Sequence, residues 1–282
     1  MPVVDELVRL IRETSSSLPG DVLKALQSAR RRERPGSSAA VVLKTILDNC
    51  ALAKRRGTPL CQDTGTLTFF VDAALRRKAT PAAVKKAVAQ ATAKGYLRRN
   101  TIDAVSGRSY DDNCAEGAPV IHYVDRGQGA TGGVTLVMKG GGSENMSRQY
   151  SLPDSSLGAG RDLAGVRACV LDAVQKIQGF GCAPGVLGVC IGGDRATGYE
   201  VAKEQLLRPL GNDRAATGEI AKLERRLLKE ANELGIGPMG LGGKTTLLGV
   251  KVAARPRVPA SFFVTVAYMC WACRRGACKI ES

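Results

Sequence analysis

The hydrophobic positions of the first 56 residues repeat at the spacing of amphipathic α-helices. Two stripes share this spacing: Val4, Leu7, Val8 and Ile11, and then Leu43, Ile46, Leu47 and Cys50. Ser37 and Ser38 precede the second stripe and can cap the start of its helix. The segment 28–36 is basic and contains proline and glycine, a composition typical of an exposed turn. The pattern therefore predicts a helical N-terminal segment over about residues 1–56.

The remaining chain mixes short apolar runs with helical stripes. Strands are predicted at residues 67–73, 119–124, 134–138, 186–191, 246–253 and 261–268. Helices are predicted at residues 80–98, 161–178 and 197–207, and along a stripe from 220 to 234. No pattern can be assigned to the polar stretch 103–117. The elements predict a mixed α/β (α+β) fold, because strands and helices do not alternate regularly as they do in a doubly wound sheet.

Composition bounds the class of protein. The 282 residues are 44% hydrophobic, which is enough to bury a core. No apolar run reaches the roughly 18 residues that a membrane-spanning helix needs, so we expect no membrane segment. The N-terminus has no basic region followed by an apolar block, and we therefore expect no signal peptide and a cytoplasmic protein.

The net charge of +15 indicates an anionic partner or substrate, although a solvated arginine-rich surface would give the same excess. Aromatic residues make up only 4% of the chain, too few for platforms that stack nucleic-acid bases. No nucleic-acid-binding motif is visible in the sequence. Nucleic acid is therefore the less favoured partner.

The chain has nine cysteines, at positions 50, 61, 114, 169, 182, 190, 270, 273 and 278. An odd number of cysteines in a long chain without an export signal argues against a disulfide framework. Cys50, Cys169 and Cys190 lie within apolar patterns and are predicted to be core residues.

Three further cysteines stand in glycine-containing loops: Cys61, Cys182, and either Cys270 or Cys273. Three thiolates from distant parts of a chain suit an iron–sulfur cluster in which one iron has no protein ligand and can act as a Lewis acid. A structural role for the same thiols is the alternative. The Cys-x-x-Cys pair at Cys270 and Cys273 has no second pair, so a zinc ribbon is poorly supported. A thioredoxin-like redox pair stays open.

Two glycine-rich loops, Lys139–Ser143 and Gly240–Thr245, can offer backbone N–H groups to an anion. The second loop fails as a Walker A motif, because Pro238 stands where a glycine is required and a strand is predicted to follow. A carboxylate-binding loop or a tight structural turn fits better. His122 is the single histidine, which excludes His–His metal sites, and we interpret it as structural.

Several long and compositionally unusual segments occur together in the chain. They are Pro59-Leu-Cys-Gln-Asp-Thr-Gly-Thr66, Tyr96-Leu-Arg-Arg99, Pro119-Val-Ile-His-Tyr123, Lys139-Gly-Gly-Gly-Ser-Glu-Asn-Met-Ser147, Gly188-Val-Cys-Ile-Gly-Gly193, Leu234-Gly-Ile-Gly-Pro-Met-Gly-Leu-Gly-Gly-Lys-Thr-Thr246 and Met269-Cys-Trp-Ala272. In content and order they resemble class I (iron–sulfur) fumarate hydratases and the α subunit of their two-subunit relatives, which include L-tartrate dehydratase.

The resemblance implies a [4Fe–4S] cluster whose ligands are Cys61, Cys182 and Cys270, which would make Cys273 an extra cysteine. It implies that Gln62 and Asp63 contact substrate and act in catalysis. It also implies substrate contacts at Arg98 and at Gly142, although Arg99 adjoins Arg98 and is the alternative.

The implied architecture is a single catalytic domain over residues 1–282. In it, a helical N-terminal segment is followed by two packed α/β lobes with mixed sheets. Two places depart from the family pattern: the run 110–117, which puts local geometry and substrate preference in question, and Ala183, where a proline is more usual.

Single-chain members of the family carry a further C-terminal domain, whereas this chain stops at Ser282. The resemblance therefore implies a separate β subunit and an α2β2-type assembly. The expected reaction is the reversible hydration of fumarate, a dicarboxylate, to (S)-malate. The alternative substrate is L(+)-tartrate or a related dicarboxylate. The non-enzymatic alternative is a basic scaffold or a nucleic-acid-binding protein with structural cysteines.

Overall fold

A computed structural model describes residues 2–125, 133–211 and 216–280. Its α-helices in these ranges are α1 (Pro2–Ser16), α2 (Gly20–Arg32), α3 (Ser38–Arg56), α4 (Pro81–Ala93), α5 (Gly141–Glu144), α6 (Leu163–Ile177), α7 (Arg195–Gln205) and α8 (Gly218–Glu233). Its strands are β1 (Thr66–Asp72), β2 (Val120–Val124), β3 (Gly133–Lys139), β4 (Arg148–Ser151), β5 (Gly185–Gly192), β6 (Leu247–Arg255), β7 (Phe263–Met269) and β8 (Arg274–Lys279). None of the helices in these ranges combines the length and the apolar character needed to cross a bilayer.

The chain divides into two compact units, and the first contains Met1–Pro19, Asp48–Gly141 and Arg274–Ser282. Its four-stranded sheet has the order β2-β1-β3-β8, in which β1 and β2 are parallel and the other pairs are antiparallel. Helices α1 and α4 pack against each other, and their apolar residues form one core with the sheet. Leu7, Val84 and Phe69 are completely buried in this core. The loop before β1 and the loop after β3 are therefore both attached to strands of this packed core.

The second unit contains Gly20–Leu47 and Gly142–Cys273. Its four-stranded sheet has the order β4-β7-β5-β6, with β5 and β6 parallel and the other pairs antiparallel. Every residue of β5 is buried, because α6 and α8 share a core with one face of the sheet while α7 packs on β5 where Gly188 approaches Ala202. A strand that is covered on both faces has a continuous apolar sequence. Residues 186–191 have such a sequence and were predicted as a strand for that reason.

The mixed α/β fold class predicted from the sequence is confirmed, and most predicted elements occur within two residues of their expected ends. Helix α4 is an exception, because it ends at Ala93 and not near Arg98. Gly95 follows it in the left-handed region, and the N–H of Tyr96 turns back to the carbonyl of Ala91. This glycine termination is a common helix stop that the apolar pattern does not reveal.

Two further differences concern charged segments. The predicted exposed turn over 28–36 is shorter than expected, since α2 continues to Arg32 through its basic last turn, where cations are favourable. Strands β4 and β8 were not predicted. Both are edge strands that carry arginine, and edge strands tolerate polar sequences because only one side is paired.

Candidate active site

The loop that carries Cys61 is anchored in the first unit by its neighbour, Leu60. Leu60 is buried, and its N–H donates to the carbonyl of Ser15 at the end of α1 over 2.8 Å. Its own carbonyl accepts from the side chain of Asn49 on α3 over 3.0 Å. Cys61 is half-buried, and its Sγ accepts from the N–H of Asp63 over 3.4 Å. The loop is therefore fixed to α1 and α3 by the residue directly before Cys61.

Gly65 closes this loop where β1 begins. Its φ is +74°, and a Cβ at this position would lie 2.4 Å from the carbonyl oxygen of Lys139 and 2.7 Å from the nitrogen of Gly140. Both contacts are with backbone, which cannot move aside as a flexible side chain can. Glycine is therefore required at position 65 by sterics as well as by backbone conformation.

Arg98 and Arg99 point to different partners. The Nη1 of Arg98 donates to Oε1 of Gln62 over 3.1 Å. Arg99 instead forms an exposed ion pair with Asp111, with 2.9 Å between Nη1 and Oδ1. The structure thus brings Arg98, and not Arg99, to the Cys61 loop.

Asp63 is half-buried and lies beside the start of the glycine loop. Its Oδ1 accepts from Nδ2 of Asn100 over 3.3 Å, and a Cβ at Gly141 would lie 3.9 Å from its Oδ2. Gly141 and Gly142 are both exposed, and nothing lies within 4 Å of a Cβ built at Gly142. Gly142 belongs to the second unit, so its predicted substrate contact stays a prediction.

Asn113 organises this part of the first unit, although no sequence pattern assigned it a role. It is 1% exposed with φ of 60°. Its Oδ1 accepts from the N–H groups of Asn100 and Thr101, and its Nδ2 donates to Thr92 and to the carbonyl of Arg98. The available signal is the run Asp-Asp-Asn in the unassigned stretch 103–117, because asparagine is the residue after glycine that best tolerates the left-handed region.

A cavity of about 200 Å³ lies next to this network. Asn100, Thr101 and Asn113 contribute polar groups to its wall, while Gly65 and Gly141 contribute backbone.

The strand register places several loops at the same end of this sheet. β1 begins at Thr66, which pairs with Lys139 at the end of β3. β8 begins at Arg274, which pairs with Met138. The Cys61–Gly65 loop, the glycine loop after β3 and the start of β8 therefore meet at one end of the sheet, as the ends of antiparallel neighbours must.

In the second unit, two loops bring Cys182 and Cys270 together. The N–H of Trp271 donates to the carbonyl of Cys182 over 3.2 Å. Cys182 is exposed and has φ of 53°, an uncommon conformation for a residue with a side chain. Cys270 is half-buried. Strained, accessible residues concentrate at functional sites, which is consistent with a ligand role for Cys182.

Among the buried polar side chains of the described residues that lack hydrogen-bond partners, two lie within four residues of Cys270 in the sequence. The Tyr268 hydroxyl is one; burial raises its pKa well above the usual range, and Cys270 and Cys182 nearby raise it further. The other is Arg274, which is 1% exposed and whose Nε and Nη1 have no partner. Arg274 begins β8, at the sheet end that carries the Cys61 loop. A buried guanidinium without an anion is costly, so Arg274 suits a bound anionic group, while the Tyr268 hydroxyl suits a hydrogen-bond acceptor.

The other cysteines behave differently. Burial raises the pKa of the Cys50 thiol to about 11 and that of Cys169 to about 12, so both remain protonated at neutral pH. Cys50, Cys169 and Cys190 are buried, which confirms their predicted core positions. Cys273 is 1% exposed, in contrast to Cys270.

No disulfide joins the nine cysteines, all of which lie in described parts of the chain. Within those parts, no three His, Cys, Asp or Glu side chains form a group that could hold a metal ion. Cys61 belongs to the first unit, whereas Cys182 and Cys270 belong to the second. That the three thiols share one cluster stays a prediction.

The second glycine-rich loop has a structural partner. The N–H of Lys244 donates to both carboxylate oxygens of Glu33, over 2.9 and 3.0 Å, and Glu33 is 6% exposed. Strand β6 follows the loop, as the sequence predicted. The loop therefore binds a carboxylate of its own unit. His122 stacks on Phe70 with 5.2 Å between ring centroids, in keeping with a structural interpretation.

Comparison with known proteins identifies a family whose members this chain matches. The family model described as Fumarate hydratase (Fumerase) matches residues 4–279. A Geobacillus stearothermophilus protein, provisionally named fumarate hydratase class I, is 48% identical over 282 residues, which cover 98% of this chain and 54% of the relative. This chain thus spans about half the length of that relative.

Two relatives of matching length carry a different name. A Methanocaldococcus jannaschii protein, provisionally named L(+)-tartrate dehydratase subunit alpha, is 33% identical over 287 residues, which cover 100% of this chain and 98% of the relative. The L(+)-tartrate dehydratase subunit alpha of Escherichia coli (strain K12) is 30% identical over 271 residues, which cover 95% and 87%.

Proposed function

The chain belongs to the fumarate hydratase (Fumerase) family, and we propose that it is the cluster-bearing α subunit of a hydro-lyase that interconverts fumarate and (S)-malate. The observation that carries the proposal is the loop of Cys61, Gln62 and Asp63. This loop is held between α1 and the glycine loop, with Arg98 bonded to Gln62. In the proposal, the two units act as one catalytic domain over residues 1–282.

Cys61, Cys182 and Cys270 would hold a [4Fe–4S] cluster. When bound, such a cluster supplies one iron without a protein ligand, which serves as a Lewis acid toward the carbon–oxygen bond. Support comes from the exposure of Cys182, the half-buried positions of Cys61 and Cys270, and the unpaired Tyr268 hydroxyl and Arg274 guanidinium among the described residues. Cys50, Cys169 and Cys190 are buried core residues and take no part in the proposed cluster.

The remaining residues would bind and orient a dicarboxylate. Arg98 is exposed and offers a planar guanidinium to one substrate carboxylate, while its bond to Gln62 limits its rotation. The Asp63 carboxylate, oriented by Asn100, can accept a hydrogen bond from the substrate hydroxyl or from the leaving water. The N–H of Gly142 would contact the second carboxylate. The excess of 41 basic over 26 acidic residues favours an anionic substrate.

A separate β subunit would complete the site and supply the group that removes the carbon-bound proton. The support is that this chain covers 87–98% of two relatives that are named as α subunits. The same coverage favours a second candidate function, that of an L(+)-tartrate dehydratase α subunit. The higher identity to the relative named fumarate hydratase, 48% against 30–33%, is why fumarate is preferred.

The test is to purify the chain without oxygen, together with its candidate β subunit, and to measure iron, visible absorption and turnover of fumarate, (S)-malate and L(+)-tartrate. We expect a brown protein that hydrates fumarate. Cys61→Ser should remove both colour and turnover, whereas Cys114→Ser, which changes another half-buried cysteine of the first unit, should preserve them. A colourless wild-type protein that binds no iron would contradict the proposal, and preferred turnover of tartrate would select the second candidate.

A further inference from the structure

The Tyr268 hydroxyl is a buried hydrogen-bond donor that has no acceptor within the described parts of the chain. Tyr268 is 1% exposed and lies one residue before the end of β7. A buried hydroxyl without a partner destabilises a protein, whereas a phenylalanine of the same shape would not. The acceptor is therefore expected to be a group that this chain binds.

The surroundings of Tyr268 identify where that group would lie. A Cβ at Gly181 would be 2.4 Å from the Tyr268 ring, and a Cβ at Gly185 would be 2.4 Å from the hydroxyl oxygen. The two glycines flank Cys182, so the Cys182 turn is shaped around this tyrosine. Cys270 follows Tyr268 by two residues, and the bond from Trp271 to Cys182 joins the two cysteine loops.

We propose that the Tyr268 hydroxyl donates a hydrogen bond to sulfur of the cluster held through Cys182 and Cys270, and that Tyr268 is a positioning residue for the cluster. The inference rests on the proposed function, because it requires a bound cluster. Thiolate and cluster sulfurs accept hydrogen bonds, and outer-shell bonds of this kind govern how firmly a metal centre is held and at what potential it is reduced.

Tyr150 provides a matched control in the same unit. Its hydroxyl donates to Oδ2 of Asp172 over 2.7 Å, and its ring packs against the same hydrophobic core. Tyr150→Phe therefore removes a hydroxyl that already has a partner in the protein. Tyr268→Phe removes a hydroxyl that has no hydrogen-bond partner among the described residues.

The experiment compares wild-type protein with both variants, purified without oxygen. It measures the rate of iron release to a chelator, the visible absorption of the cluster, and the melting temperature of the cluster-free chain. Tyr268→Phe should release iron about 10-fold faster than the wild type, which is the lower end of the effect expected when an outer-shell partner is lost. Its cluster-free form should melt at the same temperature as the wild type or at a higher one. Tyr150→Phe should melt at a lower temperature and release iron at the wild-type rate.

Two results would overturn the inference. One is wild-type iron release and absorption in Tyr268→Phe, which would mean that the hydroxyl does not reach the cluster. The other is a lower melting temperature of cluster-free Tyr268→Phe, which would mean that the hydroxyl has a structural acceptor. If the wild-type protein holds no iron, the proposed function fails and this inference fails with it. If the wild-type protein holds iron and the variant does not differ, the inference alone fails.

Discussion

The Nη1 of Arg98 and the Oε1 of Gln62 lie 3.1 Å apart, although 36 positions separate the two residues in the chain. The neighbouring Arg99 turns away to an exposed pair with Asp111. The contact links the loop of Cys61 to the segment that follows α4. It also assigns different tasks to two arginines that look equivalent in the sequence.

Replacing Arg98 by methionine should reduce kcat/KM for the dicarboxylate about 100-fold, which corresponds to about 2.7 kcal/mol of transition-state stabilisation. The reason is the loss of a charge-assisted contact with the substrate carboxylate. Arg99→Met should change kcat/KM by less than about twofold, because an exposed ion pair contributes little. Steady-state kinetics of the two variants provide the measurement, and equal losses would contradict the assignment.

Asn113→Ala should lower the free energy of unfolding by about 3 kcal/mol, since four hydrogen bonds of a buried side chain are lost. Asn113→Gly keeps the left-handed backbone accessible and separates the side-chain loss from backbone strain. Denaturant unfolding of both variants checks the expectation. A glycine variant as stable as the wild type would show that the hydrogen bonds contribute little.

Gly65→Ala should destabilise the protein by about 3 kcal/mol or more, because the added Cβ meets backbone atoms at 2.4 and 2.7 Å. Gly95 has the same φ of +74° with nothing within 4 Å of a Cβ, so Gly95→Ala isolates the conformational cost alone. That cost should be about 1 kcal/mol. Thermal melting of the two variants separates the contributions, and equal shifts would mean that the contact with Lys139 relaxes.

Cys270→Ser should lose most of the bound iron, whereas Cys273→Ala should retain it. Cys270 is half-buried next to the Cys182 loop, while Cys273 is 1% exposed. Iron content per chain after anaerobic reconstitution distinguishes the two. Iron loss in the Cys273 variant, together with retention in the Cys270 variant, would exchange their roles.

Periodicity along the chain predicted most helices and strands of both units, because burial of one face imposes a regular spacing on each element. It did not predict strands β4 and β8, since an edge strand with arginine resembles a loop. It also predicted too long a helix for α4, because Gly95 and a local hydrogen bond terminate the helix before the apolar pattern ends. These are local backbone features that hydrophobic patterns do not carry.

The sequence by itself determined the fold class, the core cysteines, the cysteine-bearing loops and the family. Burial patterns and long unusual motifs can be recognised from the order of the residues alone. Only the tertiary structure decided that Arg98 and not Arg99 meets Gln62, that Asn113 holds the segment before it, and that Tyr268 lies inside the Cys182 turn. Each of these depends on where a side chain points after distant segments pack. Two adjacent residues of the same type, such as Arg98 and Arg99, can therefore have different partners although the sequence does not distinguish them.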